Sequence, residues 1–276
     1  MIRCLIWSYT LIAAVAGHGY LSFPVSRQYK CFRDNHFWWP ETGDEIPDAA
    51  CRHAYKTVFA KYRSQGESPG VAANAAQYMF QQYYEYAALA GPGYGDLDYV
   101  KQYVIPDNLC AAGADDRSGP FGDKSGMSEP TPLWRPDTFF HSAHEKYQSG
   151  HQTVLHFCPT AVHEPSFFQV FISLPQYNYS HPLRWEDVEL IGGDGSQLVP
   201  NDGSDMACAS EQIYTIPVRI PFRSRQFVLF VRWQRNDVVG EGFYNCADVV
   251  FDDYALTHAV APAKTPRSTP PSAAGA

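Results

Sequence analysis

Of the ten histidines in the 276-residue chain, His18 has the most distinctive surroundings. It follows Val15-Ala16-Gly17, a small-residue cleavage site at the end of an apolar stretch, Cys4 to Val15, that begins behind Arg3. Cleavage after Gly17 makes His18 the first residue of the working protein. One residue then offers two nitrogen donors, its α-amine and its imidazole. The amine has a pKa of about 8, so losing its proton costs little near neutral pH. One further imidazole completes three nitrogens in a T shape with an open equatorial position. Nitrogen donors in a tetragonal arrangement suit copper, which also stands highest in the divalent affinity order. Oxygen or peroxide could react at such a position.

Residue types alone do not choose the other imidazole. His141 and His144, in "FHSAHEKY", are near each other in sequence, but no His-Glu-x-x-His motif is present, which argues against a zinc protease. His163, in "FCPTAVHEPSFFQVFI", sits in a short turn between two strand-like runs. A rim loop is a sensible place for a ligand because a rigid scaffold positions it.

The elements that must hold these residues follow from composition and pattern. The leader, about 12 apolar residues, is too short for a membrane span of about 20, and no other segment is long and uncharged enough. Secretion follows, with an oxidising compartment for Cys31, Cys51, Cys110, Cys158, Cys208 and Cys246, enough for three disulfides. Several pairings are open to six cysteines, and spacing does not select one. None forms Cys-x-x-Cys, so a thiolate zinc site has little support. Asn178-Tyr179-Ser180 is a glycosylation sequon and places Asn178 at the surface. The net charge of −8 argues against nucleic acid as partner, since that affinity comes from a basic face.

Two stretches read as helices, Ala49 to Tyr62 and Val71 to Ala90, the second stopping at Gly91-Pro92-Gly93. After Leu109 the runs "TVLHF", "SFFQVFISL", "IYTIPVRI", "QFVLFVRW" and "ADVVF" read as short strands between turn clusters. The expected fold is mainly β, an immunoglobulin/fibronectin-III-like β-sandwich with a helical insertion between the first strand and the rest. Residues 1–17 read as a signal peptide, 18–256 as one domain, and 257–276 as a disordered tail rich in proline, alanine and serine.

The segments "HGYLSFPVSRQYKC", "FCPTAVHEPSFFQVFI" and "FVRWQRNDVVGEGFYNCADVVF" resemble the mainly bacterial and viral family of lytic polysaccharide monooxygenases, built on a chitin-binding type-4 domain. Within it, "AAQYMFQQYYEYAALAGPGY" and "LCAAGADDRSGPFGDKSGM" are similar to the fusolin/spindlin proteins of insect viruses, and the match runs from His18 to about Tyr254.

The resemblance implies one copper ion held by His18, through amine and side chain, and by His163. It implies that Phe243 occupies one axial side of the metal, that Ala161 crowds the other, and that Glu241 stands near the open position. It also implies the pairs Cys31–Cys51 and Cys110–Cys246, which leaves Cys158–Cys208. The implied activity is oxidative cleavage of crystalline chitin at C1, with an external electron donor and oxygen or hydrogen peroxide as co-substrate. In the insect viruses such activity would loosen the chitin-containing gut lining and aid infection. A face of exposed rings would stack on sugar planes, with Tyr20, Trp38 and Trp39 as the candidates. Two other readings stand beside the enzyme: a non-catalytic chitin-binding protein, and a structural protein that assembles as a homo-oligomer or spindle and is deposited in viral spindles or occlusion bodies.

Overall fold

The computed structural model describes residues 18–34, 42–140 and 150–252. The expected leader (1–17), Trp38, Trp39, His141, His144 and the tail (257–276) lie outside the described residues.

Two β layers form the frame. One contains β1 (His18–Phe23), β4 (His151–Ala161), β8 (Gln212–Ile220) and, against β8, β7 (Gln197–Pro200). The other runs β6 (Val188–Gly192), β5 (Ser166–Ser173), β9 (Phe227–Arg235), β10 (Glu241–Phe251) and β2 (Ala87–Leu89), with β3 (Asp137–Phe139) parallel to β10. The bridge Gly192↔Val218 joins the layers, so the sheet curls into a sandwich.

Strands β9 and β10 are buried along their whole length because both faces are covered. Side chains on a strand alternate between faces. Phe227, Leu229, Val231 and Trp233 therefore join Phe243, Val249 and Phe251 in the core between the layers, with Leu21, Phe157 and Phe168. The alternate Val228, Phe230, Tyr244 and Cys246 face a second core made with the helical insertion. Each large apolar side chain fully buried in this way contributes about 1.5–3 kcal/mol.

The insertion begins with α1 (Arg27–Arg33), α2 (Ala49–Ser64) and α3 (Pro69–Gln81). Asp48 caps α2 by accepting from the backbone N–H groups of Ala50 and Cys51, and Ala50, Ala54, Val58 and Tyr62 form its buried stripe. Ser68 and Pro69 start α3. Arg27 docks α1 onto β10 through a two-pronged pair with Asp248, at 2.7 and 3.0 Å. Disulfides Cys31–Cys51, Cys110–Cys246 and Cys158–Cys208 join α1 to α2, the insertion to β10, and β4 to the segment before β8.

The helix expected over Val71 to Ala90 ends at Gln81, and Ala87–Leu89 is instead a strand paired with Glu241–Phe243. Tertiary contacts override helix propensity there. Tyr83 packs on Tyr20, Tyr29 and Phe32, while the fully buried Tyr86 donates to the Met79 carbonyl.

Candidate metal centre

Strand pairing places the first histidine. His18 lies opposite Ala161 in the β1–β4 ladder, and Gly19 donates its backbone N–H to the Tyr84 carbonyl at 3.0 Å. Gly19 has no room for a side chain, since a Cβ would meet the Phe157 ring at 2.4 Å. His163 follows Ala161 by two residues, in the turn between β4 and β5. The Tyr214 hydroxyl holds that turn by donating to the His163 carbonyl at 3.2 Å.

A buried guanidinium organises the opposite rim. Arg235 reaches Asp237 Oδ2 at 2.7 Å and Glu241 Oε2 at 2.5 Å, across the hairpin between β9 and β10. Asp237 in turn meets His163 Nε2 at 3.0 Å. The charge of Arg235 acts on His163, and those of His18 and Glu85 act on Glu241. Both histidines and Glu241 thus converge at one end of the sandwich.

Burial, assisted by Arg235, pulls the His163 imidazole below its ordinary value, so the ring is neutral and able to donate a lone pair. Burial raises the Glu241 carboxyl although Arg235 opposes it. Glu85 lies with Oε1 at 3.6 Å from His18 Nε2; this contact, with help from Lys124, holds its carboxyl below the usual range against the effect of burial. Phe243 is fully buried, with its ring centroid 6.3 Å from that of His18 and 5.1 Å from that of Trp233. It belongs to the core and borders the site at once.

The donor set fits a copper ion provided that His18 is terminal. Among the described residues no group of three or more His, Cys, Asp or Glu side chains could hold a metal. Two imidazoles alone bind weakly, so a site here would need the further donor that the α-amine of a terminal His18 would offer. Glu85, Asp237 and Glu241 lie around these rings with carboxylates that favour a cation. The Nδ1 atom of His18 can close a six-membered chelate ring with the amine, while Nε2 faces Glu85.

Tyr20 corrects the sequence expectation. It is 2% exposed and donates its hydroxyl to the Ala207 carbonyl at 2.8 Å, with its ring 4.1 Å from that of Tyr29. Its side chain points inward from β1 and cannot stack on a sugar. Exposed aliphatic groups at this end, among the described residues, include Val238 (81%) and Val239 in the β9–β10 hairpin, Leu89 (52%) opposite Glu241, and Val162 beside His163. Hydrogen bonds from Ala90 N to Gly240 O and from Gly91 N to Val239 O hold the segment after β2 against this hairpin.

Sequence reasoning missed Arg235, Asp237 and Glu85. The tight spacing of Arg235, Asp237 and Glu241 around a hairpin was a signal for the first two. Glu85 gave none, because it fell inside a stretch read as helix. Asn178 is exposed, as its sequon requires, and accepts from the Ser180 backbone N–H.

A family profile described as "Lytic polysaccharide mono-oxygenase, cellulose-degrading" matches residues 18–249. Spindolin of Heliothis armigera entomopoxvirus is 48% identical over 244 residues, spanning 88% of this chain and 69% of that protein. The structure of fusolin from Anomala cuprea entomopoxvirus spindles superposes with a TM-score of 0.81 at 45% identity, over 92% of this chain and 94% of that one. An entomopoxvirus fusolin solved in complex with zinc gives 0.80 at 47% identity, over 85% and 76%. Profile, identity and fold agree: the chain belongs to the lytic polysaccharide mono-oxygenase family and is of its fusolin type.

Proposed function

We propose that this protein is a secreted copper monooxygenase that oxidatively cleaves crystalline chitin at C1, with the leader removed after Gly17. The observation that carries the reading is the convergence of His18, His163 and Glu241 at one end of the sandwich.

His18 would hold the ion through its amine and Nδ1, and His163 through a neutral imidazole. Copper supplies one-electron redox chemistry, fed by an external donor and turned over with oxygen or hydrogen peroxide. The chain's own residues do the rest. Phe243 closes one side of the site against water, and Ala161 narrows the other without adding a donor. Arg235 takes Glu241 Oε2 and fixes this carboxyl beside the site, while burial raises it against the pull of Arg235.

Val238, Leu89 and Val162 would supply apolar contact for the polymer, alongside the candidate rings of Trp38 and Trp39. Acetamido methyl groups, present on chitin and absent from cellulose, give such a face something to bury at about 25 cal/mol per Å². Chitin is also mostly uncharged, so a net charge of −8 does not oppose docking. In an insect host this activity would loosen the chitin-containing gut lining.

The test is mass spectrometry of soluble products from β-chitin and from cellulose, using copper-loaded protein starting at His18 with ascorbate, beside His163→Ala. Oxidised chito-oligosaccharides from the first protein only are the expected result. Chitin binding without oxidised product would reduce the protein to an adhesion module. A second reading, assembly into spindles, draws on similar solved structures that are of fusolin spindles. Ordered particles formed without copper on expression in insect cells would support it, alongside the enzyme activity.

A further inference from the structure

The turn between α3 and β2 is more heavily built than a connection needs to be. Three of its five residues, Tyr84, Glu85 and Tyr86, each have a separate anchor. Tyr84 accepts the Gly19 N–H and sets its ring edge-on to His18, with centroids 5.5 Å apart. Tyr86 accepts the backbone N–H of Tyr244 at 2.8 Å. The Glu85 carbonyl accepts from Nζ of Lys124, a lysine with no solvent exposure that lies 4.7 Å from the centroid of the Tyr86 ring. Burying an amino group of this kind is costly, and this one meets that main-chain oxygen with the Tyr86 and Tyr78 rings around it.

The carboxylate that this backbone presents is also pinned. Tyr78 donates its hydroxyl to Glu85 Oε2 at 3.4 Å, which leaves Oε1 facing His18 Nε2 at 3.6 Å. At that length it is a contact of opposite polarity and not yet a hydrogen bond.

Resting on the copper reading above, we propose that Glu85 is a positioning residue that selects the tautomer of His18. An Nε2–H directed at Glu85 leaves Nδ1 unprotonated. Only Nδ1 lies close enough to the α-amine to close a six-membered chelate with it. The general rule is that the hydrogen bond made by one ring nitrogen sets which nitrogen takes the metal. Lys124 and Tyr78 act through Glu85 by fixing where its main chain and its outer oxygen lie. Each histidine thus has a carboxylate at Nε2, Asp237 of the β9–β10 hairpin for His163 at 3.0 Å and Glu85 of the insertion for His18 at 3.6 Å.

Two measurements test this. In metal-free protein starting at His18, ¹⁵N shifts of the imidazole at neutral pH should show the Nε2–H tautomer, and a predominant Nδ1–H tautomer would overturn the proposal without any variant. Copper binding by calorimetry and the Cu(II) electron paramagnetic resonance spectrum are then compared for wild type, Glu85→Ala and Glu85→Gln. Loss of about 10–100-fold in affinity with an altered copper hyperfine splitting is expected for Glu85→Ala. Glu85→Gln should recover most of both, since its amide oxygen still accepts. A Glu85→Ala protein with wild-type affinity and spectrum would sink the proposal. Failure of the wild type itself to bind copper, or indifference of binding to His163→Ala, would instead remove the copper reading and leave the tautomer result standing.

Discussion

His18 sits directly across the β1–β4 ladder from Ala161, two residues before His163. Two ligand candidates separated by well over a hundred residues are thereby brought to one end of the sandwich by a single antiparallel register. A one-residue slip would exchange the two faces of β1, taking Leu21 out of the core between the layers and Tyr20 out of its cluster with Tyr29. The β1 backbone is further locked by Asn245, whose Oδ1 accepts from the Leu21 N–H at 3.1 Å and from Gln28 Nε2 at 2.7 Å.

Copper affinity should depend on where the chain starts. Protein carrying one extra residue before His18 loses the amine as a chelating partner of Nδ1. Calorimetry should show binding weakened by orders of magnitude, with His163→Ala weakened as well. Equal affinity for the extended and trimmed proteins would count against the terminal-histidine site.

Arg235 should matter for stability more than its position near a loop suggests. Its partners Glu241 and Asp237 sit within the same hairpin, and the Arg235–Glu241 pair is almost entirely buried. Arg235→Met leaves a buried carboxylate without its partner, at a cost of about 3–5 kcal/mol. Adding Glu241→Gln should restore a large part of that loss. Urea unfolding of the two variants checks it.

Lys124 should make stability depend on pH above neutrality. Burial, only partly offset by Glu85, pulls its pKa down to about 7 from 10.5. Between those values the unfolded chain binds the proton and the folded one does not, so stability rises with pH through this window. The slope from this group is at most about 1.4 kcal/mol per pH unit. Denaturation of wild type and Lys124→Met from pH 6 to 10 should show the variant's relative stability highest at the acid end and falling as pH rises. A pH-independent difference would mean that the buried lysine keeps its proton across this range.

The Cys110–Cys246 bridge should be the costliest disulfide to remove. It spans 136 residues, against 50 for Cys158–Cys208 and 20 for Cys31–Cys51, and ties the insertion to β10 just beyond Phe243. Replacing both cysteines by alanine should cost about 2–5 kcal/mol, seen as a lowered Tm.

Docking on the polymer should run through aliphatic groups. Val238→Asp places a charge on the exposed hairpin tip without touching Asp237 or Arg235. Pull-down on β-chitin should weaken several-fold while copper affinity stays unchanged. Tyr20→Phe should leave chitin binding alone, since that ring is buried.

Much of this protein was legible in one dimension. Strands β5, β8 and β9 announced themselves as short apolar β-branched and aromatic runs, and the α2 stripe from Ala50 to Tyr62 was a plain four-residue period. What tertiary structure decided is how distant segments meet. No local pattern says that Tyr83 to Leu89 leave a helix to pair with β10, because the deciding contacts are with Tyr20, Tyr29 and Glu241–Phe243. Tyr20 is buried because Tyr29 of α1 and Tyr83 of the insertion cover its face of β1, a contact made between distant segments. The carboxylate beside His18 comes from Glu85, on a turn that exists only because the insertion is folded against the sandwich.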